Sequence, residues 1–223
     1  TSKLLGSVFL EYKVLDNLKL TSRFGVDYNN VEEYLYYNPY FGDARTLGGY
    51  SANSYNRLYN WVWTNLADYD FRLLDDQLDG TVTVGYEAQE SRTYTQSGDG
   101  NVVPKNQGIV YPVPAVPTTA SVTGSDYAFT SLLSRAQLNY LGKYSLSGSL
   151  RRDGSSRFGA NNRYGTFWSV GAAWNIDEEG FMENQKIFSA LKLRTSYGVN
   201  GNAGIGNYVW RSTFLFSTTY NGA

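Results

Sequence analysis

The sequence predicts an all-β chain, specifically an antiparallel transmembrane β-barrel segment. Three observations carry that prediction. Hydropathy alternates with a period of two over stretches of about ten residues. The connections between those stretches alternate short and long. Tyrosines and tryptophans gather near the stretch ends, where a ring sits in the acyl boundary and its polar atom among headgroups.

Nine strands follow, at about 4–14, 17–29, 56–69, 77–91, 127–140, 143–153, 164–176, 189–200 and 207–217. In the second, Leu18, Leu20, Phe24, Val26 and Tyr28 take one face while Lys19, Thr21, Arg23 and Asp27 take the other. The third is less regular. Tyr59, Trp61, Trp63 and Tyr69 share a face, but Val62 and Leu66 oppose them. In the fourth, Leu78, Val82, Val84, Tyr86 and Ala88 align. The sixth sets Tyr144, Leu146, Gly148 and Leu150 against Ser145, Ser147, Ser149, Arg151 and Asp153. The seventh sets Tyr164, Trp168, Val170, Ala172 and Trp174 against Gly165, Ser169, Gly171 and Asn175, with Phe167 breaking the polar face. The eighth sets Leu191, Leu193, Thr195, Tyr197 and Val199 against Lys192, Arg194, Ser196 and Gly198. These strands exceed the ~5–6 residues usual in globular proteins and match or slightly exceed the ~9–11 that cross a bilayer at a tilt. The one helical candidate, Glu178 to Ile187, is short and contains a glycine.

The tight turns Asp16-Asn17 and Leu141-Gly142-Lys143 and the short segment 70–76 fall at one end of the predicted sheet. The long segments 30–55 and 92–126 and the medium 154–163 fall at the other. Outer-membrane barrels segregate loop length this way, with short periplasmic turns and long extracellular loops. The connection 177–188 belongs to the short end yet has twelve residues. Neither the start, Thr1-Ser2-Lys3, nor the turn-like end, Tyr220-Asn221-Gly222-Ala223, reads as a natural terminus, so a segment of a longer protein is expected.

Composition narrows the chemistry. The 223 residues contain no Cys and no His. That removes disulfide frames, thiol nucleophiles, Cys-ligated metals and any triad or zinc site that needs imidazole. With 19 Lys+Arg against 20 Asp+Glu, the chain lacks the basic excess of a nucleic-acid binder. A hydrophobic share of 42% argues against disorder. The mean hydropathy of −0.40 fits a soluble protein and a barrel equally, because lipid-facing and lumen-facing residues average out. The acidic pairs Glu32-Glu33 and Asp75-Asp76 point to opposite faces of a strand or lie in turns, so they do not form the facing carboxylates of a glycosidase. Glu87, Glu90 and Asp177-Glu178-Glu179 read as lumen lining and solvated turns. Ser97-Gly98-Asp99-Gly100-Asn101 lacks the spacing and closing Glu of a calcium loop. The glycine-rich run 198–206 matches no phosphate-binding loop. No enzyme and no cofactor are expected. The Pro- and Val-rich 102–117 reads as an extended connection. The aromatic run 34–41, with Tyr36, Tyr37, Tyr40 and Phe41, reads as an extracellular loop that stacks on sugars, packs on a partner or folds over the barrel mouth.

One long ordered run says more. Leu150-Arg151-Arg152-Asp153-Gly154-Ser155-Ser156-Arg157-Phe158-Gly159 is followed by Asn162-Arg163-Tyr164-Gly165-Thr166-Phe167-Trp168-Ser169-Val170. Then come Ala173-Trp174-Asn175-Ile176, Phe181-Met182, Leu191-Lys192-Leu193-Arg194-Thr195-Ser196-Tyr197-Gly198, and Gly201-Asn202. This run closely resembles the barrel of SusC/RagA-type TonB-dependent outer-membrane transporters. Trp61-Val62-Trp63-Thr64-Asn65 and Gly85-Tyr86-Glu87 agree more weakly, and Trp168 stands where the family often has Pro.

The resemblance implies a 22-stranded barrel closed by a plug, of which residues 1–223 are a partial barrel without the plug or the remaining strands. It implies the bacterial outer membrane, cargo of oligosaccharide or peptide, capture with a SusD-like surface lipoprotein, and energy from TonB acting through regions outside this chain. The face assignment agrees with it. Arg151, Asp153, Lys192 and Arg194 fall on the lumen side, and a mid-bilayer Arg or Lys on the other side would cost ~2–4 kcal/mol. In 154–163, Arg157, Asn161, Asn162 and Arg163 have two readings, contact with cargo or a hold on neighbouring loops, and the second is preferred. The alternatives are a passive porin or adhesin barrel and a soluble aromatic-rich carbohydrate-binding β protein.

Overall fold

The computed structural model describes residues 1–103, 116–184 and 187–212. Eight strands among the described residues form one sheet in sequence order: β1 (Ser2–Leu15), β2 (Leu18–Tyr37), β3 (Tyr50–Leu73), β4 (Leu78–Asn101), β5 (Val116–Tyr140), β6 (Tyr144–Ser155), β7 (Tyr164–Asn175) and β8 (Lys192–Val199). Each strand pairs with its sequence neighbours, an antiparallel meander with β1 and β8 at its two edges. Between β5 and β6, Leu141 (φ 55°) and Gly142 (φ 69°) both have positive φ, and Lys143 N–H donates to the Tyr140 carbonyl at 3.0 Å. That is the primed hairpin turn whose twist matches its flanking strands.

Contacts along the chain group the described residues into two units. One comprises the described parts of Thr1–Val8, Phe24–Trp63 and Gln89–Asp126; the other comprises the rest. In the first, the Arg45–Leu47 turn is tied to the end of β4, where Val102 and Val103 donate to the carbonyls of Leu47 and Gly48. Ala44 and Val103 are buried there.

In the second unit the register sorts side chains into two sets of rows. Tyr140, Tyr144, Trp174 and Leu193 align, then Leu138, Leu146, Ala172 and Thr195, then Ala136, Gly148, Val170 and Tyr197, then Ser134, Leu150, Trp168 and Val199. The opposite face carries Asn139, Ser145, Ala173 and Arg194, then Gln137, Ser147, Gly171 and Ser196, then Arg135, Ser149, Ser169 and Gly198. Among the described residues no second layer lies over the apolar rows. Leu146 is 50% exposed and Leu150 51%. A water-soluble sheet would need to cover such a surface, whereas lipid covers it without further protein. No helix among the described residues is long and apolar enough to cross a membrane, which says nothing of strands that cross.

Several elements differ from the sequence reading. β2, β4 and β5 run on for eight or more residues past their expected ends and β3 begins six residues earlier, so much of the expected loops 30–55 and 92–126 is strand. Tyr36 and Tyr37 therefore lie on β2, and only Tyr40 and Phe41 of that quartet follow it. The helix expected at Glu178 to Ile187 is replaced, over its described part, by short 3-10 turns at Ile176–Glu178 and Gly180–Met182, because Gly180 and the acidic run favour local turns over a helical nucleus. The start of the expected ninth strand, 207–217, is a turn. Tyr208 has φ 63° and its carbonyl accepts from Arg211 N–H at 2.9 Å. The remainder of that strand from 213, and 104–115 of the Pro- and Val-rich connection, lie outside the described residues.

Candidate functional site

The polar face of the second unit converges on one guanidinium. Arg151 Nε donates to Asp153 Oδ1 at 2.6 Å, and Nη2 donates to Glu87 Oε1 at 3.1 Å and to Ser131 Oγ at 2.8 Å. Thr64 Oγ1 donates to the other Glu87 oxygen at 3.1 Å. The cluster thus links β3, β4, β5 and β6. Alternation explains why these meet: Arg151 and Asp153 are two apart on β6, and Ser131 sits opposite Asp153 on β5. Arg151 keeps 43% of its side chain exposed, so each ion pair contributes only ~0.2–1 kcal/mol. The network fixes the guanidinium's direction and leaves it accessible to a polar ligand. Nearer the short turns the same face carries Lys19 with Asp68 at 3.6 Å, Thr83 with Asp68 at 2.7 Å, Thr81 with Asp70 at 2.6 Å and Asn139 with Asp79 at 3.0 Å.

The four expected lumen residues do not form one site. Arg151 and Asp153 are joined. Lys192 and Arg194 lie on the same face at the far end, opposite Asn175 and Ala173, without an ion-pair partner among the described residues. Phe167, which broke the polar alternation, is opposite Arg151. Its ring lies over Gly165 and Gly201, and a Cβ at either glycine would overlap it. An aromatic thus occupies a polar face by filling space that two glycines leave open.

Arg157 has its partners within the chain. Its guanidinium lies 4.0 Å from the Tyr127 ring centre, Nε donates to Asn207 Oδ1 at 2.8 Å and Nη1 to the Ala203 carbonyl at 3.0 Å. It ties the β6–β7 connection to β5 and to the segment after β8. Arg163 contributes its carbonyl to Ser155 N–H at 3.0 Å. Of the aromatic quartet, the Tyr37 ring lies 5.8 Å from that of Tyr50, Tyr40 N–H donates to Asn38 Oδ1 at 2.7 Å, and Phe41 is 70% exposed.

One clamp was not legible in the sequence. Glu179 accepts from Tyr144 Oη at 2.5 Å, Trp174 Nε1 at 3.0 Å and Lys143 Nζ at 3.1 Å. The Tyr144 bond first, then those from Trp174 and Lys143, holds its carboxyl below the usual range. The rings of Tyr140, Tyr144 and Trp174 stack in series, with centroids 6.4 Å apart. Alternation of Trp174 and Tyr144 showed which face the rings take, but nothing showed that a turn residue would bind their polar atoms. No cluster of Asp and Glu that could hold a metal occurs among the described residues.

Comparison with known proteins gives the following. No protein-family model matches the chain. It is 29% identical over 208 residues, 90% of its length, to TonB-dependent receptor P39 of Formosa agariphila, and 28% identical over 225 residues, 98% of its length, to TonB-dependent receptor P26 of the same organism. It spans 19% and 22% of those proteins, about a fifth. Its backbone superposes on the RagAB peptide transporter with a TM-score of 0.88 at 24% identity, over 99% of this chain and 25% of that one. The sheet therefore has the fold of part of that transporter's barrel.

Proposed function

We propose, from a chain homologous over nearly its whole length to TonB-dependent receptors, that residues 1–223 are part of the barrel wall of an energised outer-membrane importer. The single observation that carries this is the two-sided sheet. Apolar rows around Leu146, Val170 and Trp168 are exposed, with no layer over them among the described residues, while the opposite face holds Arg151, Glu87, Asp153 and a ladder of Thr, Asn and Asp. Lipid suits the first face and a water-filled lumen the second. The short turns then face the periplasm, and Tyr40, Phe41, Arg157 and Arg163 belong to the extracellular end.

In this reading the chain performs no chemistry. Its residues line a passage, and transport is driven by TonB acting on a plug supplied by the rest of the protein. A SusD-like lipoprotein closes over the extracellular end. Peptide is the preferred cargo, because the RagAB protein of the same fold is a peptide transporter and a directed, accessible Arg151 suits a peptide carboxylate. Oligosaccharide is the other cargo class.

The test is uptake by cells carrying the full-length protein. Labelled oligopeptides are expected to enter only when TonB is present, and Arg151→Gln is expected to lower uptake about three- to tenfold at unchanged surface abundance. Uptake that persists without TonB would identify a passive pore. Uptake of oligosaccharides and not peptides would reassign the cargo.

A further inference from the structure

We propose that the cleft formed by Tyr28, Arg57, Tyr59, Arg92, Tyr94 and Asp126 on the membrane side of the sheet binds a phosphate of an outer-leaflet glycolipid. This rests on the barrel reading above. The cleft lies wholly within the first unit and encloses about 540 Å³.

Its side is fixed by alternation. The apolar row Val82, Val84, Tyr86 and Ala88 of β4 continues into Glu90, Arg92 and Tyr94. The row Trp63, Trp61 and Tyr59 of β3 continues into Arg57. Trp61 Nε1 donates to Glu90 Oε2 at 3.2 Å, and the Arg57 guanidinium lies 5.5 Å from the Tyr94 ring centre, so both rows project the same way. Charged side chains thus stand on the face that lower down is apolar.

Its height is fixed by counting. A strand rising ~3.3 Å per residue and tilted ~40° climbs ~2.5 Å per residue. From Tyr69, ten residues along β3 reach Tyr59, or ~25 Å, the height of the apolar band of an outer-membrane barrel. Arg57 is the next residue on that face. It stands where headgroups begin and where an arginine costs little.

The chemistry selects the ligand. Glu90 neutralises Arg92 at 2.6 Å. Arg57 has no carboxylate partner among the described residues and is exposed, its planar fork held against a tyrosine. Three tyrosines line the same cleft, and the hydroxyl of one, Tyr94, donates to Gln96 Oε1 at 3.3 Å. A guanidinium with nearby hydroxyls suits a phosphate oxygen fan. Asp126 also lines the cleft and opposes a bare anion. A headgroup whose acyl chains lie against the exposed Trp63 ring below overcomes that opposition; a free phosphate ion does not.

The experiment uses the full-length receptor purified from outer membranes in mild detergent, with native mass spectrometry as the readout. The probe is diphosphoryl lipid A, compared with phosphatidylglycerol and inorganic phosphate. Heat-modifiable gel mobility confirms that each variant is folded. Wild type is expected to retain lipid A through activation that strips phosphatidylglycerol. Arg57→Gln is expected to lose about fivefold in retention, Arg57→Lys to keep about half, and Arg72→Gln, a charge removed near the short turns, to match wild type. Tyr94→Leu, which removes the ring beneath the guanidinium, is the second variant and is expected to lose part of the retention. Equal retention by wild type and Arg57→Gln overturns the proposal. So does equal retention of phosphatidylglycerol, or displacement of lipid A by millimolar phosphate. A wild-type protein absent from the outer-membrane fraction is a separate result, which sinks the barrel reading and this site with it.

Discussion

Placing an arginine at Val170 tests the face assignment most directly. Trp174 and Tyr164 bracket the apolar face of β7, ten residues apart. At ~2.5 Å of height per residue they are ~25 Å apart, one hydrocarbon band. Val170 lies four residues from Trp174, ~10 Å into that band, and aligns with Gly148 and Tyr197. The residue is 44% exposed among the described residues. Val170→Arg therefore sets a guanidinium near the bilayer middle, where the cost is ~2–4 kcal/mol. Three kcal/mol is a factor of more than a hundred in the folded-to-unfolded ratio. Ser169, one residue away, faces the other side and shares a 2.6 Å hydroxyl contact with Ser149. Ser169→Arg forfeits that contact, ~1 kcal/mol, and pays no membrane penalty. Leu146→Arg, two rungs from the Tyr144 belt and so ~5 Å deep, is expected between the two, at ~1–2 kcal/mol, because its charge reaches the interface. The assay is urea unfolding of the full-length receptor in phospholipid vesicles, followed by heat-modifiable mobility. Equal destabilisation by Val170→Arg and Ser169→Arg, or the reverse order, would refute the reasoning.

Three further outcomes follow from other contacts. Arg157→Ala removes the Tyr127 stacking and the bonds to Asn207 and Ala203, so limited proteolysis should cut within 200–212 several-fold faster; Arg157→Lys should restore little, since an ammonium lacks the planar fork. Gly165→Ala should cost ~1–3 kcal/mol, because its Cβ would lie 2.7 Å from the Phe167 ring, and a Phe167→Ala background should erase that cost in a double-mutant cycle. Glu179 is held below its ordinary value near 4.5, so its contribution is complete above that pH and is lost as pH falls through its folded-state value; acid unfolding of Glu179→Gln should show a shallower loss of stability below pH 4.5 than wild type.

The sequence showed most where the two faces meet different surroundings. In β6, β7 and β8, the proposed lipid on one side and water on the other would force strict alternation, and the expected placing of Leu146 and Ser147, and of Leu193 and Arg194, on opposite faces agrees with the observed register. The outer parts of β2 to β5 were mistaken for loops for the converse reason. Gln96, Ser97, Asp99 and Asn101 are polar on both faces, as the proposed barrel requires where water lies on both sides of a strand that continues past the bilayer. Alternation then carries no signal, although backbone pairing continues. Arg151 and Asp153 were legible as a pair because they are near in sequence, and Glu87 was legible only as lining. Its meeting with Arg151 depends on a register between β4 and β5 set by side-chain contacts far apart in the chain, such as Asn139 with Asp79. The Glu179 clamp has the same origin, since its partner Tyr144 is 35 residues away.

The length of β3 explains why those outer parts need side-chain pairing of their own. Its 24 residues span ~80 Å, while a tilted crossing uses ~9–11 residues. In the proposed barrel more than half of the strand has neither lipid nor a core against it, and backbone hydrogen bonds exposed to water stabilise a sheet only weakly. Cross-strand pairs contribute ~0.2–1 kcal/mol each. They recur along this stretch: Asn56 Nδ2 to Thr95 Oγ1 at 3.1 Å, Thr119 Oγ1 to Asp99 Oδ2 at 2.6 Å, and the Tyr55 and Tyr94 rings 6.4 Å apart. At the tip, the buried Val103 and Ala44 close the end against fraying. Such an extension holds its shape through many small terms, none of which dominates. Removing any one, as in Thr119→Val, should loosen amide protection around Asp99 by about three- to tenfold and leave the apolar rows of β6 and β7 unchanged. Hydrogen exchange on the full-length protein reads both regions at once, and loss of protection in both would mean that the extension and the membrane-crossing rows unfold as one unit.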